Sequence, residues 1–309
     1  DHIHAAEPHR RPLRNEEYTV GWISALEVEH TAAQMALDEE HGQPDSVSQN
    51  DNNSYVLGKI YNHNVVLAVL PMGEYGLASA AQVARDMRHS FPNVRIGLMV
   101  GIGGGAPTAK QDVRLGDIVV GIGFAGCDAV FQYDYGKAIQ GQDFLPTSSL
   151  NQPPIALRAG VASLKSDHGL RPHRLGEYFR DLLQKFPHLH ETYDKPDTLT
   201  DRLYKSRCVH KDGQEDCSLC GNDPDNVVTR KPREGVKVHY GAIASANTLM
   251  KDALIRDKLA ESNKILCFEM EAAGLVQHFP CLVIRGICDY ADSHKNKQWQ
   301  GFAALAAAA

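Results

Sequence analysis

The residues of this 309-residue chain best suited to chemistry gather at the ends of two apolar runs. The stretch ILCFEMEAAGLVQHFPCLVIRGICDYAD, residues 265–292, predicts two buried parallel strands at 265–270 and 281–287. A short helix over 271–277 joins them. Both runs are nearly continuous in apolar residues, as expected when a sheet is covered on both faces. Glu269 and Glu271 follow the first run; Asp289 and Asp292 follow the second. Ligands of open α/β sheets bind outside the carboxyl ends of parallel strands, so these acids are site candidates. Taken singly, Glu271 also reads as a helix start and Asp289 as a turn anchor.

Two further clusters carry chemical potential. Gly101-Ile102-Gly103-Gly104-Gly105-Ala106 fits a dinucleotide fingerprint in spelling. That fingerprint must open a helix, whereas Pro107 and a polar loop lead into another strand. The cluster reads instead as a strand-end loop whose bare backbone admits a flat or sugar-bearing ligand. Cys208, Cys217 and Cys220 share a polar segment with His210. This set could hold zinc, but its spacing matches no standard ribbon, and free thiols with no metal are the favoured reading.

The elements that must position these groups follow from pattern. Strands are expected at 18–24, 54–61, 64–70, 95–100, 117–121 and 236–244, the second and third forming an antiparallel pair. Helices are expected at 26–38, 77–90, 153–166 and 248–261, with a last one beginning in AALAAAA. The polar stretch 187–234 reads as a long excursion out of the core. Residues 1–17 read as a flexible arm without the apolar region of a secretory signal, and 18–309 as one domain. The implied fold class is α/β: three layers, α/β/α, around a mixed, largely parallel twisted sheet.

Hydrophobic content of 43% and charged content of 23% are ordinary for a globular protein. A net charge of −6 argues against a general nucleic-acid surface. No apolar run approaches the roughly 20 residues needed to span a bilayer. Cysteines inside apolar strands, such as Cys267 and Cys281, fit a reducing, cytoplasmic setting.

Four blocks then give the chain a resemblance: VGWISALEVEH, VGIGGGAP followed by LGDIVV, CFEMEAAG, and VIRGICDYADSHKN. In this order and spacing they resemble the purine nucleoside phosphorylase and nucleosidase superfamily. The texture is closest to fungal versions found at the front of NACHT or ankyrin-type immune receptors. The resemblance covers residue 18 to the end, apart from the excursion.

The resemblance implies roles. Asp289 matches the acid that protonates purine N7, and the end of an apolar strand favours its protonated form through desolvation. Glu271 matches the carboxylate that accepts the ribose 2′ and 3′ hydroxyls, and Met270 would lie under the sugar. Ala25-Leu26-Glu27-Val28-Glu29 reproduces the nucleosidase pattern in which the last glutamate activates water. A glutamate there would repel a phosphate dianion, which separates hydrolysis from phosphorolysis. Glu27 and Glu29 also read as first-turn acids that complement a helix dipole. Gly103, Gly104, Ser245 and Asn247 take base-binding positions, with Asn able to donate and accept.

Departures from the pattern are Ile102 and Cys288 where serines are usual, and Leu249 where an aromatic is common. Tyr75, Phe124 or Tyr133 would then stack on the base. Arg230, Arg233, Lys295 and Lys297 could accommodate a 5′-phosphate or triphosphate, or form a solvated charged face. The expected activity is hydrolysis of a purine nucleoside or nucleotide, adenosine or ATP favoured, without cofactor. The alternatives are phosphorolysis and a nucleotide-sensing module without turnover. The resemblance also implies a homo-oligomer and a possible front domain of a larger receptor.

Overall fold

The computed structural model describes residues 13–124, 126–141, 144–211, 217, 220 and 225–309. In chain order the strands and helices begin with β1 (Val20–Ser24), α1 (Glu27–Met35), β2 (Glu39–Glu40), β3 (Tyr55–Ile60) and β4 (His63–Val69). There follow α2 (Leu77–Ser90), β5 (Ile96–Gly105), β6 (Ile118–Gly121), β7 (Val130–Gln132), β8 (Gly136–Lys137) and β9 (Leu145–Pro146). Next come α3 (Ile155–Leu170), α4 (Leu175–Lys185), α5 (His190–Tyr193), β10 (Val238–Ser245) and α6 (Ala253–Asn263). The chain finishes with β11 (Ile265–Glu269), α7 (Ala272–Leu275), β12 (Cys281–Asp289) and α8 (Gln300–Ala308).

One mixed sheet runs β11-β10-β6-β12-β5-β1-β4-β3-β2, with β7 added on β10. Helices cover both faces. On one side Ala80, Val83, Ala84 and Met87 of α2, at helical spacing, pack with Leu275 of α7. On the other, α1, α4, α5 and α8 supply Ala32, Met35, Phe179, Leu182, Tyr193 and Phe302. The expected α/β class with a mixed, covered sheet is what the chain forms.

The sheet also closes on itself. β5 is parallel to β12 along its length, and at Gly104 and Gly105 it turns to pair antiparallel with Phe268 and Cys267 of β11. The glycine cluster is therefore strand, not the strand-end loop expected. Its missing side chains let other strands cross: a Cβ on Gly104 would sit 2.7 Å from Asp289 Oδ1, and one on Gly103 3.0 Å from Phe268 O. The same crossing corrects the idea of β11 and β12 as a parallel pair. They are not paired strand to strand in the sheet; each is held by β5.

Other differences are local. The helix expected from 248 begins at Ala253, because the Asp252 side chain accepts from Leu254 N and Ile255 N and caps it there. α4, which the sequence pattern left unassigned, buries Phe179, Leu182 and Leu183. The stretch 187–234 is not wholly outside the core. Tyr193, Leu203 and Tyr204 are buried, and Trp299 Nε1 donates to Thr200 Oγ1 at 3.0 Å. Of the expected arm, residues 1–12 lie outside the described residues. Asn15 is buried and donates to Ser46 O and Ser90 O. Among the described residues no helix is long and apolar enough to cross a membrane.

Candidate active site

An arginine in the middle of an apolar strand organises the carboxylates. Arg285, on β12, is 1% exposed, a position that an ionised group occupies only when paired. Its Nη2 makes an ion pair with Glu269 and lies 3.4 Å from Glu271 Oε2, while Nη1 donates to Ile102 O at 3.3 Å. Glu29 reaches the same place from α1. Its Oε1 accepts from Ile102 N at 2.7 Å, and its Oε2 accepts from Ala25 N and Leu26 N at 2.7 and 3.0 Å. Gly101 makes the meeting possible: a Cβ there would strike Glu29 Oε1 and lie 2.6 Å from Arg285 Nη1.

Three buried acids around one cation leave excess negative charge. Burial pushes the Glu29 carboxyl up, against the opposing effects of Arg285 and the three backbone N–H donors. Glu271 is pushed up to about 7, first by burial and then by Glu269 and Glu29, with Arg285 opposing. Glu269 has a defined duty. Its Oε2 accepts from Glu271 N at 3.0 Å and Ala272 N at 2.9 Å, which starts α7 and fixes Glu271 at the sheet edge. Met270, between them, is half-buried.

Asp289 ends β12 beside Gly104. Its Oδ1 accepts from Ala291 N at 2.9 Å, and its Oδ2 takes the Cys288 thiol at 3.1 Å and Lys295 Nζ at 2.9 Å. Cys288, where a serine is usual, thus directs its thiol to Asp289. Lys295, expected at a 5′-phosphate, stands on Asp289 instead. A cavity of about 630 Å³ opens at Asp289, lined also by Arg202, Tyr204 and Lys297. Glu29 and Glu271 do not line it.

Several expected contacts are occupied otherwise. Ser245 Oγ is buried and accepts from Ala273 N at 3.0 Å, so it holds α7 rather than facing a base. Asn247 is exposed; its Oδ1 accepts from Leu77 N at 3.1 Å and supplies the missing cap of α2 beside Gly76. Arg230 is bound to Asp201, at 3.0 Å, and to the Tyr290 hydroxyl at 2.7 Å. Arg233 pairs with buried Asp117. Neither arginine is brought to the carboxylate cluster, because their short-range partners already hold them. Tyr75 and Phe124 are exposed, and Tyr133 donates to Thr248 O at 2.8 Å.

The sequence profile of the Phosphorylase superfamily matches residues 20–309. The chain belongs to that superfamily. A protein of Hyaloscypha variabilis described as a nucleotide-binding leucine-rich repeat (NLR)-like protein is 44% identical over 305 residues, 97% of this chain. The chain spans 29% of the length of that relative. Among solved structures, the futalosine hydrolase of Helicobacter pylori superposes with TM-score 0.55 and 17% identity, covering 94% of each chain. The 5'-methylthioadenosine/S-adenosylhomocysteine nucleosidase of S. pneumoniae gives TM-score 0.55 and 17% identity, covering 94% and 95%. At this identity the likeness is one of fold.

Sequence reasoning missed Arg285 and its pairing with Glu269. A signal was present. A lone arginine inside VIRGIC must meet an acid, and Glu269, at the end of the companion strand, is a near one.

Proposed function

We propose that the chain hydrolyses the N-glycosidic bond of a purine nucleoside or nucleotide. The observation that carries this reading is the joining of Glu29 and Glu271 around Arg285, with Asp289 on the strand that bears that arginine. In the proposed reaction Asp289 donates a proton to the leaving base, with Lys295 positioning its carboxyl group. Departure of the base leaves a cationic sugar, whose hydroxyls Glu271 accepts. Glu29 accepts a proton from the attacking water as the new C–O bond forms. Arg285 keeps Glu271 and Glu29 from repelling each other apart.

Adenosine or ATP is the substrate favoured within this reading. Arg202 and Lys297 in the cavity at Asp289 support a phosphorylated substrate, with Arg230 and Arg233 withdrawn from that role. The NLR-like relative supports reading the chain as one part of a larger receptor-type protein.

The test is a panel of adenosine, AMP, ATP, guanosine and inosine, with and without phosphate, reading free base by chromatography. Base release in phosphate-free buffer is expected. A strict phosphate requirement replaces this reading with phosphorolysis, and tight binding without base release over hours replaces it with a sensing module.

A further inference from the structure

The polar stretch between α5 and β10 contains few apolar side chains, yet its two ends are tied together. Tyr204 bridges Val227, Lys205 N donates to Asn226 O at 2.8 Å, and Val228 N donates to Leu203 O at 2.8 Å. The loop closed by this hairpin carries His210, Cys217 and Cys220, whose ligand atoms all lie within 4.8 Å of one another. His210 Nδ1 is 3.8 Å from Cys217 Sγ and 3.3 Å from Cys220 Sγ. A tetrahedral zinc ion with Zn–S about 2.3 Å and Zn–N about 2.0 Å has N···S edges of about 3.5 Å. The observed separations bracket that value. Thiols are weak hydrogen-bond donors, so hydrogen bonding gives little reason for two of them to gather on one imidazole nitrogen.

The geometry points to a structural zinc site formed by His210, Cys217 and Cys220, with Cys208 as the fourth ligand. Cys208 lies outside the close group of three, but its Sγ is 3.9 Å from His294 Nε2, whose ring stands edge-on to His210 at 5.5 Å. Binding displaces the thiol protons to solvent and leaves three thiolates and a neutral imidazole on the cation. A coordinated dication favours the thiolate form of each cysteine. Small polar segments that cannot bury a core are commonly fixed in this way.

The site is joined to the segment that follows Asp289. His210 N donates to Ser293 Oγ at 2.9 Å, and Cys217 Sγ lies 3.8 Å from His294 O. His294 in turn stacks on Tyr204, with ring centroids 3.8 Å apart and planes at 11°. The metal would therefore clamp Ser293 and His294, next to the Lys295 that reaches Asp289. The metal assignment itself does not depend on what reaction the chain performs.

The test uses the full chain, purified under reducing conditions without chelator. Elemental analysis is expected to show one zinc per chain, or the reduced chain to take up one equivalent of added Zn²⁺ against a chromophoric chelator. Cobalt substitution without any mutation should give tetrahedral bands and thiolate-to-cobalt charge transfer, which covers the case of a variant that does not fold. The double variant C217S/C220S should lose the metal, C208S should weaken it at least tenfold, and C127S should leave it unchanged. Chelation should lower the melting temperature of the parent chain but not of C217S/C220S. Absence of stoichiometric uptake, an octahedral cobalt spectrum, or equal binding by C217S/C220S overturns the site. A Cys217–Cys220 disulfide with no metal uptake after reduction overturns it in favour of a redox pair, and unchanged binding in C208S overturns the fourth ligand.

Discussion

Lys295 holds its ammonium 2.9 Å from Oδ2 of Asp289, at a contact only partly open to solvent. Burial works to lower the lysine's affinity for its proton, but Asp289 raises it and wins. The lysine is thus a lasting cation beside the proposed acid. Replacing it by alanine is expected to lower kcat for base release roughly ten- to a hundredfold, with a small change in KM. Steady-state kinetics on adenosine decide this; a loss confined to ATP would return Lys295 to phosphate recognition.

Glu29→Gln should reduce turnover by about 10²- to 10³-fold, since an amide cannot accept the proton of water. It should also destabilise the fold. Both Glu29 oxygens face backbone N–H groups, and an amide nitrogen would point at one of them, costing about 1–3 kcal/mol. Urea denaturation beside kinetics separates the two effects, and an unchanged rate would remove Glu29 from the reaction.

Glu271 is pushed up to about 7. In the proposed reaction its carboxylate form accepts the sugar hydroxyls, so kcat/KM is expected to fall as pH drops through about 7 and to level off above it. Glu271→Gln should give a low value that lacks this limb. A parent profile that stays flat down to the ordinary glutamate range, about 4.3, contradicts the assignment.

Gly104→Ala introduces a Cβ 2.7 Å from Asp289 Oδ1 and 2.8 Å from Ala291 Cβ. The acid must move, so activity should drop by at least tenfold, at a stability cost of about 1–3 kcal/mol. Gly42→Ala, with nothing within 4 Å of the added carbon, is the matched control. Equal behaviour of the two variants would show that the close approach has no catalytic consequence.

Arg230→Ala should lower the melting temperature and affect adenosine and ATP alike, because the arginine is spent on Asp201 and Tyr290. Lys297→Ala, at the cavity beside Asp289, should raise KM for ATP more than for adenosine. Parallel assays on both substrates distinguish them.

The carboxylates were legible in the sequence because each ends or follows an apolar run or occupies a recognisable block. Glu29, Glu271 and Asp289 all lie at the ends of such elements. Arg285 was less visible, since its pairing with Glu269 and Glu271 depends on β5 bringing two strands together that do not pair directly. The partners of Ser245 and Asn247 were hidden for a similar reason. These partners, Ala273 and Leu77, lie on helices whose docking no local pattern states. The excursion was least legible, because its anchors to Tyr290, Ser293 and Trp299 are long-range polar contacts without periodicity.

β5 pairs with β12 along one flank and with β11 at its glycine end. The strand bearing Asp289 and the strand leading to Glu271 are thereby cross-braced through a third. Neither can slide without breaking hydrogen bonds to β5, so the spacing between Asp289 and Glu271 is set by the folded frame before any ligand arrives. Adaptation to ligands of different size must then come from the connecting segments, among them those carrying Tyr75 and Phe124. Variation in specificity among relatives with this frame should be written in those segments rather than in the strands.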